Sequence, residues 1–137
     1  MFQNPSQAEI IDLLRTVKTI AVVGFSPKPD RPVFHVAQGL QANGYRIIPV
    51  RPAINEGLGE KAYARLTDLP QVPDLVDVFR AADAVDEIVD DCIAIGAKRL
   101  WLQDGVINEP AALRARAAGI QVVMDRCVWR DFNQLLK

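Results

Sequence analysis

The sequence predicts an α/β domain built on a doubly wound, mainly parallel sheet with helices on both faces. Three observations carry this expectation. Short runs rich in Val and Ile recur along the chain, segments with apolar residues at helical spacing lie between them, and the runs are apolar throughout rather than alternating, as strands covered on both faces require. Each parallel pair needs a connection laid across a sheet face, and the intervening helical segments supply it.

Ser6 followed by Glu9 forms a capping box and predicts a first helix over Gln7–Thr16, with Ile10, Leu13, Leu14 and Val17 on its buried face. The first strand follows at once, over residues 19–24. Pro32 opens the second helix as an N1 proline and Gly44 closes it. The second strand covers residues 45–50. Residues 51–73 interrupt the pattern with Pro52, Gly57, Gly59, Pro70 and Pro73, so an irregular crossover is expected there, with at most a short helix around 60–65. Residues 75–79 form the third strand, and Val85, Ile88, Val89, Cys92 and Ile93 mark a helix that ends before Gly96. Arg99–Leu102 is the fourth strand, a helix capped by Asn108 closes at Gly119, and residues 120–124 are the fifth strand. Residues 126–136 complete the chain as a short helical tail. This alternation is Rossmann-like, with five strands expected in the order 3-2-1-4-5.

With 137 residues the chain suits a single domain covering 1–137. It is 50% hydrophobic and 24% charged, with 16 Lys+Arg against 17 Asp+Glu, which fits a globular protein and gives no basis for a nucleic-acid partner. The lone His35 with Cys92 and Cys127 cannot close a tetrahedral zinc site without carboxylates, so no metal is expected. Residues 1–7 lack a basic or apolar leader, and no run of 18 apolar residues occurs, so neither secretion nor a membrane is expected. The expected compartment is the cytoplasm, with both cysteines as free thiols.

In a doubly wound sheet the ligand sits beyond the carboxyl ends of the strands, where strand order reverses. For 3-2-1-4-5 that crevice lies between the first and fourth strands. The loop at 24–32 leads from a strand into a helix, where free N–H groups and the positive dipole end favour an anion. It holds only Gly24 and so is not G-x-G-x-x-G, but Ser26, Lys28 and Arg31 add a hydroxyl and two cations suited to a pyrophosphate. The alternative is a turn glycine with solvated charges.

An NAD-binding domain places an acid at the end of its second strand to accept the ribose hydroxyl; here Val50-Arg51-Pro52 stands in its place and no acid follows until Glu56. Arg51 suits an extra phosphate on the adenosine ribose, as in NADP or coenzyme A, unless it is simply a solvent-facing arginine. Arg80, after Phe79, reads equally as a phosphate contact or as a partner of Asp77, Asp83 or Asp104. Gln103 and Gly105 suit a ligand amide and a close backbone approach, or merely turn the chain.

No catalytic set is apparent. His35 reads as a surface or packing histidine, and Cys127 beside Arg126 as a buried, inert thiol, a lowered pKa being the alternative. Trp101 reads as core. Asp90 and Asp91 are adjacent on a helix, about 100° apart, and do not face each other as an acid/base couple.

Five segments, Val23-Gly24-Phe25-Ser26-Pro27-Lys28-Pro29-Asp30-Arg31-Pro32, Ile48-Pro49-Val50-Arg51-Pro52, Val76-Asp77-Val78-Phe79-Arg80, residues 96–109 around Leu102-Gln103-Asp104-Gly105, and Val122-Val123-Met124-Asp125-Arg126-Cys127, together resemble the small stand-alone bacterial CoA-binding proteins. Those proteins are similar in fold to the CoA-binding domain of the succinyl-CoA synthetase alpha subunit. The resemblance covers about residues 20–127. It implies that Gly24, Phe25, Ser26 and Lys28 line the pyrophosphate with Arg31 nearby, that Arg51 and Pro52 flank the 3′-phosphate, that Phe79 and Arg80 meet the middle of the ligand, and that Gln103 and Gly105 meet the pantetheine end. Two positions depart from the family: Phe25 stands where a smaller residue is usual, and Arg51 where Asn or Ser is usual. The synthetase lysine after the second strand aligns near Ile54, leaving Arg51 as its local substitute.

The synthetase also needs a phosphohistidine domain and a nucleotide-grasping subunit, neither of which is in this chain. The resemblance therefore implies non-catalytic binding of coenzyme A or an acyl-CoA, as carrier, sensor or partner subunit, the protein partner being unspecified. The alternatives are an NADP-dependent oxidoreductase and a degenerate Rossmann domain used for protein interaction.

Overall fold

The computed structural model describes residues 1–137. Helix α1 (Gln7–Thr16) starts on the expected capping box, the Ser6 hydroxyl accepting from the Glu9 N–H and the Glu9 carboxylate from the Ser6 N–H. Then follow β1 (Thr19–Val23), α2 (Pro32–Ala42), β2 (Arg46–Val50), β3 (Leu75–Val78), α3 (Val85–Ile95), β4 (Arg99–Leu102), α4 (Glu109–Ala117), β5 (Gln121–Val123) and α5 (Val128–Leu135). Asn108 caps α4 as expected, accepting from the Ala111 N–H. No helix is long and apolar enough to cross a membrane.

All five strands are parallel, in the order β2-β1-β3-β4-β5. This corrects the expected 3-2-1-4-5: the third strand pairs with β1, and β2 is an edge. The chain states the reason at two places. Pro49 lies in β2 with its nitrogen facing away from β1, so a strand docked outside β2 would find no donor there, and proline is tolerated only because that side is an edge. The returning crossover uses the remaining groups on that side, Tyr63 donating to the Pro49 carbonyl and accepting from the Arg51 N–H. Asp74, just before β3, accepts from the Lys18 and Thr19 N–H groups while its own N–H donates to the Thr19 hydroxyl, which ties the start of β3 to β1.

The short helix expected around 60–65 does not form. Glu56–Gly57 and Glu60–Lys61 pair as a small hairpin whose turn residues, Leu58 and Gly59, both have positive φ, and the only helical turn in the crossover is 3-10, over Leu66–Asp68.

Two apolar layers flank the sheet. One packs α3 and α4 against Val76, Val78, Leu100, Leu102 and Val122. The other packs α1, α2 and α5 against Ile20, Val22, Leu75, Trp101 and Val123. Trp101 is fully buried, as expected of a core residue, and its indole N–H donates to the Arg126 carbonyl. Ile93, expected on the buried stripe of its helix, is 44% exposed. Asn4 closes the far edge of the sheet, its side-chain amide exchanging two hydrogen bonds with the Met124 backbone.

Asp77 is the exception in this core. It lies in β3 between Val22 and Trp101, fully buried, with neither oxygen hydrogen-bonded, and burial holds its carboxyl well above the usual carboxylate range. The native state therefore keeps a proton that the unfolded chain releases near pH 4, and stability falls as pH rises from there toward the native pKa, by up to about 1.4 kcal/mol per pH unit. The Asp77→Asn variant is expected to lose this decline, so urea unfolding at pH 4.5 and pH 7 should show it gaining on the parent at the higher pH. Parallel pH profiles would contradict a neutral native Asp77.

Candidate functional site

The site starts from one crowded glycine. Gly24 ends β1 with φ +85°, its N–H donating to the Val50 carbonyl, and a Cβ there would lie 2.4 Å from the Phe79 carbonyl oxygen. The Phe79 N–H in turn donates to the Val23 carbonyl at 2.8 Å, so the tips of β1, β2 and β3 are drawn together. Strand order reverses between β1 and β3, which moves the crevice from the expected β1/β4 position to β1/β3.

Beyond Gly24 the chain alternates inward and outward. Phe25 is fully buried, packed on Phe34 and over Gly57, so it offers the crevice only backbone. The N–H groups of Phe25 and Ser26 find no acceptor within the chain. Ser26 is nearly buried, its hydroxyl accepting from the Lys28 N–H. Arg31 is the N-cap of α2 but makes no capping hydrogen bond, and Pro32 stands at N1 as expected.

Two adjoining cavities open over these strand tips and share Gly24, Arg51 and Phe79. The one on the α2 side, about 380 Å³, is lined by Ser26, Lys28 and Arg31. The other, about 460 Å³, lies on the α3 side, with apolar walls from Val50, Leu66 and Ile88 and polar groups from Arg65, Arg80 and Asp91; Pro52 borders it. Arg51 stands between them, exposed, with one guanidinium N–H on the Phe25 carbonyl at 3.2 Å.

Eleven of the 16 Lys and Arg side chains hold no acid, and four of these eleven line the two cavities. Arg46, Arg114, Arg126 and Arg130 each hold an acid elsewhere in the molecule. Lys28, Arg31, Arg51 and Arg80 hold none. None of the three candidate acids pairs with Arg80: Asp104 takes two hydrogen bonds from Arg130, which hold its carboxyl below the usual range, Asp77 is sealed in the core, and Asp83 is exposed with no ion pair.

Gln103 and Gly105 line neither cavity. Gln103 is buried and spends its side-chain oxygen on the Val128 N–H at the start of α5; Gly105 is exposed, with φ +78° and its N–H on the Asp125 carboxylate. Their strand, β4, lies one place beyond the β1/β3 reversal. His35 is exposed and outside both cavities, and Cys127, expected to be buried, is half-buried at the N-cap of α5. Burial pushes the Cys92 thiol up to about 12.

Sequence reasoning missed Arg65, Leu66, Ile88 and Asp91. Arg65 and Leu66 lie in the irregular crossover, where no periodicity marks a buried face. Asp91 and Asp90, adjacent on the helix, take different partners: Asp90 goes to Arg114 and Asp91 to Arg65.

Fold and site define a Rossmann-like domain with a cationic cleft at its strand-order reversal. The chain belongs to the CoA binding domain family, whose model matches residues 18–132. It is 40% identical over 126 residues to the protein YneT of Bacillus subtilis (strain 168), covering 92% of this chain and 93% of that one. A solved hypothetical protein from Pyrococcus horikoshii OT3 superposes with a TM-score of 0.94 at 34% identity, over 100% of this chain and 99% of the other. An ADP-forming acetate–CoA ligase of Archaeoglobus fulgidus is 31% identical over 83 residues, 59% of this chain but only 12% of that much longer protein.

Proposed function

We propose that this protein binds coenzyme A or an acyl-CoA across the tips of β1, β2 and β3 and does no bond-making chemistry of its own, serving as a carrier, sensor or partner subunit. The observation that carries the proposal is the set of unpaired cations, Lys28, Arg31, Arg51 and Arg80, gathered around a glycine that tolerates no side chain. Each cation left without an acid is available to a polyanion.

The residues fit such a ligand in three parts. The α2-side cavity, with the free Phe25 and Ser26 N–H groups and the Lys28 and Arg31 side chains, would hold the pyrophosphate. The adenine would lie between the apolar walls of the α3-side cavity, with Arg51 reaching the 3′-phosphate between the two. The pantetheine arm would then run across the β3 and β4 tips past Gly105, with Gln103 acting indirectly by fixing the start of α5. Bound CoA supplies a thiol or thioester there, and the chain's part is to hold it.

The titratable groups lining the two cavities are cations and one acid, Asp91, already hydrogen-bonded to Arg65. This supports holding the ligand rather than transforming it. The test is incubation with acetyl-CoA, followed by native mass spectrometry and a thiol assay. One intact acetyl-CoA per chain with no thiol released above the buffer rate is expected; protein-dependent thiol release would overturn the non-catalytic part.

A further inference from the structure

We propose that Asp91, held by Arg65, is the residue that selects adenine over other purines in the α3-side cavity. The inference rests on the CoA reading, in that it takes the adenosine end of the ligand to occupy this cavity. Its basis is the hydrogen-bonding state of one pair of side chains in a cavity that Arg51 and Arg80 also line.

Asp91 lies in the C-terminal half of α3 and faces the cavity, its side chain only 13% exposed. One of its oxygens, Oδ1, accepts from an Arg65 Nη2 at 2.9 Å. The other, Oδ2, has no partner in the chain. Arg65 comes from the crossover beside Leu66 and also meets Glu87 through Nη2 at 3.4 Å, which leaves Nε and Nη1 without acceptors. The pair therefore leaves one free acceptor next to free donors, an order that the hydrogen bond between the two side chains keeps.

That order complements one edge of adenine, whose exocyclic amino group donates while the adjacent ring nitrogen accepts. Guanine in the same seat carries an oxo group where adenine has its amino group, so it brings Oδ2 an acceptor in place of a donor. Hypoxanthine in the same seat turns an oxo group toward Oδ2, setting two acceptors against each other. An unmade hydrogen bond to a charged group in a partly closed cavity costs more than the made one contributes, so discrimination here comes from mismatch as much as from attraction.

The test compares adenosine 3′,5′-bisphosphate with inosine 3′,5′-bisphosphate by calorimetry, with CoA titrated in parallel. The parent protein is expected to prefer the adenosine compound by about tenfold, the size of one such mismatch. Asp91→Ala should bind both alike. In Asp91→Asn the amide oxygen takes over the bond from Arg65 and turns its N–H₂ toward the cavity, so the preference should reverse toward inosine. The ratio of the two affinities reads selection independently of any general loss of stability. CoA binding with equal affinity for the two bisphosphates in the parent, or an unchanged ratio in both variants, would overturn this inference and leave the CoA reading standing. Failure of CoA and both bisphosphates to bind would remove the CoA reading itself.

Discussion

Replacing Gly24 with alanine is expected to destabilise the protein by about 3 kcal/mol, a fall of roughly 10 °C in Tm, and to weaken CoA binding at least tenfold. Two costs combine. At φ +85° an alanine takes a left-handed backbone, at roughly 1–2 kcal/mol. Its Cβ would also come within 2.4 Å of the Phe79 carbonyl oxygen, a backbone atom that cannot swing aside because the Phe79 N–H is bonded to the Val23 carbonyl. Relief requires parting the tips of β1 and β3, and crowding of this kind costs about 1–3 kcal/mol. The same movement displaces the free Phe25 and Ser26 N–H groups from the proposed phosphate position. Gly44 is the control: its φ is +99°, but a Cβ there meets nothing within 4 Å, so Gly44→Ala should show only the backbone cost and unchanged binding. Thermal melts and titrations of both variants check this, and equal behaviour of the two would show that the close approach at Gly24 has no consequence.

Arg51→Ala is expected to weaken CoA by about 10–100-fold and dephospho-CoA by no more than about threefold, since a charge-assisted hydrogen bond to phosphate is worth roughly 1.5–3 kcal/mol. Arg51 stands between the two cavities with a single bond to the Phe25 carbonyl and no acid partner. Its remaining donors are free for the group that distinguishes the two ligands. The CoA affinity of the parent should also fall more steeply with added salt than that of the variant. An equal loss for both ligands would mean that Arg51 acts by shaping the 24–32 loop through Phe25 rather than by meeting the 3′-phosphate.

Local chemistry in the sequence is a good guide to the helices and a poor one to the order of the strands. Ser6 with Glu9, Pro32 and Asn108 each mark a helix end by satisfying or sparing a free N–H, and that requirement holds whatever the rest of the fold does. Strand order depends on which edge is left open, and the relevant signals are single residues: Pro49, which withholds a donor on the outer side of β2, and Asp74, which binds the start of β1. Read for those two roles, the sequence would have placed β2 at the edge.

The site divides the same way. Gly24, Arg51, Phe79 and Arg80 follow from their positions at strand ends, which every order of a doubly wound sheet keeps on one side. The inward turn of Phe25 is set by Gly57, 32 positions along the chain, whose missing side chain makes room for the ring. The pairing of Arg65 with Asp91 joins a crossover to a helix 26 positions away and leaves no local mark. Gln103 carries a residue type suited to a ligand amide, and its side-chain oxygen accepts from the Val128 N–H at the start of α5, a partner 25 positions away that leaves no local mark.

The most direct measurement is a calorimetric titration of the purified chain with CoA, repeated with NADP under the same salt and pH. The account predicts one CoA per chain, with NADP at least about tenfold weaker, because Lys28 and Arg31 are proposed to meet the pyrophosphate and Arg51 a phosphate on the ribose 3′ position, which NADP lacks. No heat with CoA, or NADP binding as tightly or more tightly, would contradict it.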